Sequence, residues 1–282
     1  MRGFIWLPRL GRVPVGAITT EQIDTLLAGV GRTRSAGTVN RVRGVLHAVL
    51  AQAVRWDWIW SSPASHAARV ETGPKSHVVP PPEMVMVVLE WLRINDPMFM
   101  LFVRLAATTG ARRGELLGLR WSDIDFENAR VRLVRGLVDA TGGPVLQERK
   151  TKNANCVDLD ADTITILRAH HEHAVDRAAD TGLVVGLCPL FSQRHDASKP
   201  WKPNWVTKRF AIALDTAGVE HFRLHDLRHF VATQMLAAGI GLPVVAARLG
   251  HARVSTTLNV YAASMPAWDR AAAETLTLFR AS

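Results

Sequence analysis

The chain has 282 residues, 48% of them hydrophobic, which is enough for a sizeable core in one or two domains. Lysine and arginine outnumber aspartate and glutamate by 34 to 25, and the net charge of +9 favours a polyanionic partner, nucleic acid before an anionic membrane surface. Cys156 and Cys188 are too few for a disulfide framework and lack zinc-ligand spacing. The start of the chain offers no signal peptide, and no apolar run reaches the roughly 18 residues of a membrane span, so a cytoplasmic protein is expected.

Thr19-Thr20-Glu21-Gln22 reads as a capping box ahead of a helix carrying Ile23, Leu26 and Leu27. A second helix is predicted from Thr38 to Trp56, with Val42, Val45, Leu46, Val49, Leu50 and Ala53 on one face. Residues 1–73 contain nine arginines, no lysine and four acidic residues, which makes this a basic segment. Arg32, Arg34, Arg41 and Arg43 cluster at the start of the second helix; they suit DNA phosphates, the plain alternative being a solvated helix face. Thr72 to Pro82 holds four prolines and a glycine and reads as an interdomain linker.

Beyond it, helices are predicted over Pro82–Leu92 and Pro97–Thr108. Arg130 to Arg135 alternates as a half-buried strand does. The turn Thr141-Gly142-Gly143 and Val145–Glu148 extend it to a hairpin, with Asn155–Leu159 as a third strand. Helical patterns follow over Asp162–Ala178, Asn204–Ala217, His225–Ala238, Leu242–Leu249, Val254–Tyr261 and Ala267–Phe279. The expected fold is mainly α with a small antiparallel β-sheet (α+β), in two domains, residues 1–73 and 74–282. His170, His171 and His173 read as solvated histidines on a polar helix face rather than metal ligands, and Trp56, Trp58 and Trp60 as core and interdomain packing, the alternative being that one or two abut DNA sugars.

Three motifs carry the chemistry. The first is Thr109-Gly110-Ala111-Arg112-Arg113-Gly114-Glu115-Leu116, followed by Leu119-Arg120-Trp121-Ser122-Asp123-Ile124. The second is Leu224-His225-Asp226-Leu227-Arg228-His229. The third is Leu249-Gly250-His251, followed by Ser255-Thr256-Thr257-Leu258-Asn259-Val260-Tyr261, which ends on the one tyrosine of the chain. A phenol, with a pKa of about 10, is a poor nucleophile unless its forming charge is stabilised. Arginine forks are the side chains best shaped to do that while gripping phosphate oxygens. Two arginines, two histidines and a tyrosine make an inventory for covalent phosphoryl transfer.

In this order and spacing the motifs resemble the catalytic domain of the tyrosine recombinases, the phage integrase family. The resemblance covers residues 77–265, and residues 8–72 are similar to most of that family's core-DNA-binding domain. It implies a site-specific recombinase (integrase) that integrates or excises a phage or mobile element, as a homotetramer on double-stranded DNA attachment sites, with an accessory directionality factor as a further partner. Arg112 and Arg228 would hold the non-bridging oxygens of the scissile phosphate, and Tyr261 would attack phosphorus and leave a 3′-phosphotyrosyl link. Lys150 matches the lysine that protonates the leaving 5′-oxygen, with Lys152 as the alternative on the same strand face. His225 would accept a proton or bond the phosphate, and His251 would donate a hydrogen bond to it. Because the bond energy is stored in the phosphotyrosine, neither ATP nor an essential metal is implied, hence no cofactor.

Arg113 is the neighbouring alternative to Arg112, with Glu115 as a supporting partner of the arginine, and His229 is read as packing. Only nine residues precede Leu10, so the first domain is expected to lack its opening helix, and a separate arm-site-binding domain is expected to be absent. The segment 267–279 either packs on a neighbouring protomer or folds back on its own domain. The competing functions are a type IB topoisomerase, which shares this chemistry, and a DNA-binding remnant of an integrase.

Overall fold

The computed structural model describes residues 7–71, 79–140, 142–148, 155–192 and 199–250. Lys150, Lys152, His251 and Tyr261 lie outside the described residues, as do the segments expected to be helical at 254–261 and 267–279. The chain divides into two compact units, Met1–Ser76 and His77–Ser282.

In the first unit, helix α1 is the short turn Leu7–Leu10, α2 spans Thr20–Gly31 and α3 spans Ala36–Arg55. Thr19 caps α2 as its sequence suggests: its hydroxyl accepts from Gln22 N at 3.2 Å, and Gln22 Oε1 accepts from Thr19 N at 3.2 Å. The core is Ile23, Leu26, Leu27 and Val30 of α2 against Val39, Val42, Leu46 and Leu50 of α3. The buried stripe of α3 therefore steps by three or four residues and excludes Val45 and Val49, which are exposed. The chain after α3 returns along it, held where Asn40 Nδ2 donates to Val70 O (2.7 Å) and Arg43 Nε to Ala67 O (2.8 Å). The reading of Trp56, Trp58 and Trp60 as core is corrected: all three are exposed, and the rings of Trp56 and Trp58 lie 4.8 Å apart. They follow α3, where Asp57 takes a positive φ of 56° and the helix stripe no longer directs side chains inward.

In the second unit, α4 (Pro82–Asn95) and α5 (Pro97–Thr109) both begin with proline at a tolerated position. Asp96 caps α5, its Oδ1 accepting from Phe99 N at 3.2 Å while Arg209 holds its Oδ2. Helix α5 is buried on almost every side, which explains its nearly continuous apolar sequence. Phe99 and Phe102 anchor an aromatic cluster with Phe191 and Trp201. Burial of each such ring contributes on the order of 2 kcal/mol.

The short helix α6 (Arg113–Leu117) leads into strands β1 (Ile124–Asp125) and β2 (Arg130–Leu133), then β3 (Arg135–Ala140), β4 (Gly143–Glu148) and β5 (Asn155–Asp158). The strands form two antiparallel sheets rather than one. The order β1-β2-β5 makes the first, with Val131 opposite Val157, and the hairpin β3-β4 makes the second, with Leu137 opposite Leu146. The stretch Arg130–Arg135 is thus two strands that part at Val134, and β2 pairs with β5, not with the hairpin. Helices α7 (Ala161–Thr181), α8 (Pro203–Thr216), α9 (Asp226–Ala237) and α10 (Leu242–Leu249) complete the described unit. The architecture is mainly helical with small antiparallel sheets.

On α7, His170 and His171 are partly buried, contrary to the solvated reading, and His171 packs 5.0 Å from the Trp121 ring and 5.2 Å from that of Phe126. The i, i+1 pair straddles the edge of the buried face, so one polar-face label does not describe it.

The hairpin is seated on α6 by close backbone approach. A Cβ on Gly114 would stand 2.5 Å from Leu137 O, and one on Gly118 would stand 3.0 Å from Arg135 O. Gly114→Ala should therefore push the hairpin off α6 and destabilise the second unit by about 1–3 kcal/mol. Thermal unfolding reads this directly, and an unchanged midpoint would contradict the contact.

Candidate active site

The first motif is a helix stop followed by a helix start. Thr109, fully buried, donates its hydroxyl to Leu105 O and accepts from Ala111 N at 3.1 Å. Gly110 ends α5 in the left-handed conformation at φ 65°, where a Cβ would also meet Leu249 Cδ2 at 2.4 Å. The chain then extends through Arg112 and turns into α6. Glu115, nearly buried, fixes Arg112 twice: Oε2 accepts from Arg112 N at 2.8 Å and Oε1 from its Nη1 at 2.9 Å. The Arg112 side chain stays 45% exposed, leaving part of its guanidinium open to a ligand. Arg113 points elsewhere, to Thr207 Oγ1 (2.6 Å) and Pro203 O (3.2 Å) on α8.

The second motif supplies a buried cation. Arg228, 4% exposed, donates from Nη1 to Gly110 O at 2.6 Å and from Nη2 to Leu249 O at 2.5 Å. One guanidinium thus bridges the first motif and the third. Both acceptors lie at helix ends, where carbonyls lack partners within the helix. Asp226, 1% exposed, anchors the start of α9 by accepting from Arg223 N, Nε and Nη2 at 2.7–3.1 Å. Burial alone would raise its pKa, but the Arg223 bonds outweigh that and hold it below the usual carboxylate value.

His225 stands at the N-cap of α9 and reaches the surface, with its ring partly desolvated. Burial lowers its pKa first, the charge of Arg228 lowers it further, and Arg112 and Arg223 add to this against the opposing charge of Asp226. Arg112, His225 and Arg228 therefore share one electrostatic neighbourhood. His229, buried, packs edge-on to the His225 ring with centroids 5.4 Å apart.

A histidine with a depressed pKa stays neutral in the folded chain while the unfolded chain takes up a proton. The stability it contributes is present above the unfolded value and is lost as pH falls from about 6.5 toward the folded pKa. His170 and His171 are shifted the same way, burial again being the first cause. The melting temperature is expected to fall between pH 7.5 and 5.5, and by less in His225→Gln. An identical pH profile for that variant would contradict the shift at His225.

Two supports escaped sequence reasoning. Arg135, at the base of β3, donates to the buried Asp123 at 2.5 Å, while Asp123 also accepts from Arg120 N at 2.8 Å. Arg248, in the last turn of α10, donates from Nη2 to Thr108 O at 2.9 Å and Asp158 O at 3.1 Å, and its own carbonyl accepts from Asn155 Nδ2 at 2.9 Å. Three of these acceptors, Arg248 O, Thr108 O and Asp158 O, are main-chain carbonyls 90 or more residues from their donors, and no local pattern signals such pairings. In the first unit, Arg32, Arg34 and Arg41 are exposed, whereas Arg43 is partly buried on Ala67 O. Among the described residues no cluster of His, Cys, Asp or Glu is arranged to hold a metal, and no helix is long and apolar enough to cross a membrane.

This fold is that of the tyrosine recombinase catalytic domains. The Tn1549 transposon integrase, solved in complex with transposon right end DNA, superposes with a TM-score of 0.80 over 97% of this chain and 90% of that one, at 20% identity. A lambda integrase tetramer bound to a Holliday junction gives 0.61 over 84% and 65%, at 18% identity. The profile of the phage integrase family matches residues 92–267, and the chain belongs to that family. It is 33% identical over 190 residues to a tyrosine recombinase XerC-like protein of Caldanaerobacter subterraneus subsp. tengcongensis, covering 61% of this chain and 47% of that protein. With the ICEBs1 integrase of Bacillus subtilis it shares 24% over 225 residues, covering 79% and 61%. The chain thus spans about half to three fifths of the length of these curated relatives.

Proposed function

We propose that the chain is a site-specific DNA recombinase that cuts and rejoins strands through a 3′-phosphotyrosyl intermediate, integrating or excising a mobile element. The observation that carries this reading is the buried Arg228, which bonds to the first and third motifs at once, with Arg112 and His225 in the same electrostatic neighbourhood. Two guanidinium groups whose charges both act on His225 suit a phosphate whose equatorial oxygens gain charge in the transition state.

In this mechanism Arg112 and Arg228 grip the non-bridging oxygens. The phenol oxygen of Tyr261 forms a bond to phosphorus as the bond to the 5′-oxygen breaks. Neutral His225, its pKa depressed, is suited to take the phenolic proton or to bond the phosphate. Lys150, or Lys152 two residues on, protonates the departing 5′-oxygen, and His251 donates a hydrogen bond to the phosphate. The 5′-hydroxyl of another strand then reverses the step, so no external energy source is consumed. In this reading residues 1–73 form a core-DNA-binding domain whose exposed Arg32, Arg34 and Arg41 meet DNA phosphates, Arg43 serving the fold as well. Residues 74–282 form the catalytic domain, and a tetramer on two duplexes follows the assembly of the lambda integrase relative.

The test is a nicked duplex carrying the junction sequence that flanks the coding sequence. A covalent protein–DNA adduct on that duplex is the expected product. Absence of any adduct overturns the reading, and relaxation of plasmids lacking the junction would point to a topoisomerase instead.

A further inference from the structure

Helix α9 carries an imidazole inside an apolar run. His229 is 8% exposed, and Leu227, Val231 and Ala232 of the same helix are buried with it. Taking a polar ring out of water costs free energy that an alkyl side chain would not. One contact of that ring is with His225, four residues earlier: the ring centroids lie 5.4 Å apart and the planes meet at 88°. This is the edge-to-face arrangement that aromatic rings favour.

The register follows from the backbone. His225 already has helical dihedrals, φ −70° and ψ −22°, and its carbonyl accepts from Arg228 N at 3.1 Å. Its side chain therefore projects as though from the first residue of the helix, and residues four apart on a helix share a face. The charged groups that act on His225 come from three places: Asp226 and Arg228 on α9, Arg223 on the chain just before it, and Arg112 at the start of α6. Burial is the first cause that lowers the His225 pKa and Arg228 the second; Asp226 opposes them, and Arg112 and Arg223 add to the lowering. Among the described residues, His229 is the aromatic ring that touches His225.

We propose that His229 is a positioning residue for His225, its ring holding the His225 imidazole in one orientation at the head of α9 and keeping water from that side of it. The assignment rests on the recombinase reading, in which His225 acts on the phenolic proton or on the phosphate. Without His229, water reaches the His225 ring and the burial that depresses its pKa weakens, so the ring is protonated at a higher pH than in wild type. A protonated His225 cannot accept a proton, and cleavage is lost as pH falls through that higher value.

The test follows His225 both directly and through cleavage. In protein with isotope-labelled histidine rings, the His225 signal is the one of the 11 that is missing from His225→Gln. His229→Ala should raise the pKa of that signal toward the ordinary value of about 6.5, and His229→Phe, which restores a flat ring, should leave it near its wild-type position. Cleavage of the nicked duplex should slow by about two- to tenfold in His229→Ala, the scale of one edge-to-face contact, and the pH below which it is lost should rise. His229→Phe should recover both. In a His225→Gln background, His229→Ala should slow cleavage no further. Should His229→Ala fail to fold, His229→Asn takes its place, since it keeps a polar group near the base of the lost ring. A His225 pKa unmoved by loss of the ring, equal slowing in the His225→Gln background, or a folded phenylalanine variant that behaves like the alanine one overturns the proposal. If wild type forms no adduct, the recombinase reading falls and the catalytic part of this assignment with it, while the ring titration still decides whether His229 governs His225. If wild type forms adducts and His229→Ala changes neither titration nor cleavage, the assignment of His229 alone falls.

Discussion

Tyr261→Phe is expected to abolish covalent attachment to DNA while leaving affinity for the duplex within about twofold of wild type. The substitution removes one hydroxyl from the one tyrosine in the chain, so no second phenol can stand in for it. The aromatic ring and the net charge of +9 are unchanged, and affinity for DNA is dominated by phosphate neutralisation by basic side chains. The measurement is adduct formation on the nicked duplex beside a mobility-shift titration at fixed salt. An adduct formed by the phenylalanine variant would remove Tyr261 from the mechanism, and a large loss of affinity would give it a binding role instead.

Arg228→Lys carries the second large effect. The charge survives, but a compact ammonium cannot reproduce a planar fork that donates to Gly110 O and Leu249 O from separate nitrogens. Leaving either carbonyl without a donor in this buried setting costs about 1–3 kcal/mol. A domain of this size would then melt a few degrees lower for each kcal/mol lost. Cleavage should fall further than stability does, by about a thousandfold, because the same fork is assigned to the phosphate in the transition state. Adduct formation at a temperature well below the variant's melting point separates the two effects. If cleavage falls only as far as the folded fraction, Arg228 is a structural tie and not a phosphate ligand.

The parts of this molecule that its sequence announces are those governed by local rules. The capping box at Thr19 and Gln22 and the prolines opening α4 and α5 all act over four residues or fewer, and each appears where its pattern stands. Strand pairing is different. Arg130 to Arg135 alternates without interruption, and nothing within it reveals that the chain changes sheets at Val134; that is decided by Asp123 capturing Arg135 and by the glycine face of α6 receiving β3. The tryptophans after α3 mislead for a related reason. Large aromatic rings bury well on average, but once the helix ends no periodicity compels them inward. Arg112, His225 and Arg228 stand out in the sequence because their chemistry is written in their side chains, and the structure places the charges of both arginines beside His225. Asn155 and Arg248 do not stand out, because what they bind is backbone.

That preference for backbone acceptors has a consequence for how tolerant the site is of change. Peptide oxygens are the same whatever side chain they carry, so positions such as 108, 158 and 249 can drift in identity without cutting a tie, provided the helix or strand around them persists. For these ties it is the donors, Asn155, Arg228 and Arg248, that must be kept. A chimera that exchanges α5 with that of a distant relative should therefore still form these ties, whereas one that loses Asn155, Arg228 or Arg248 should not.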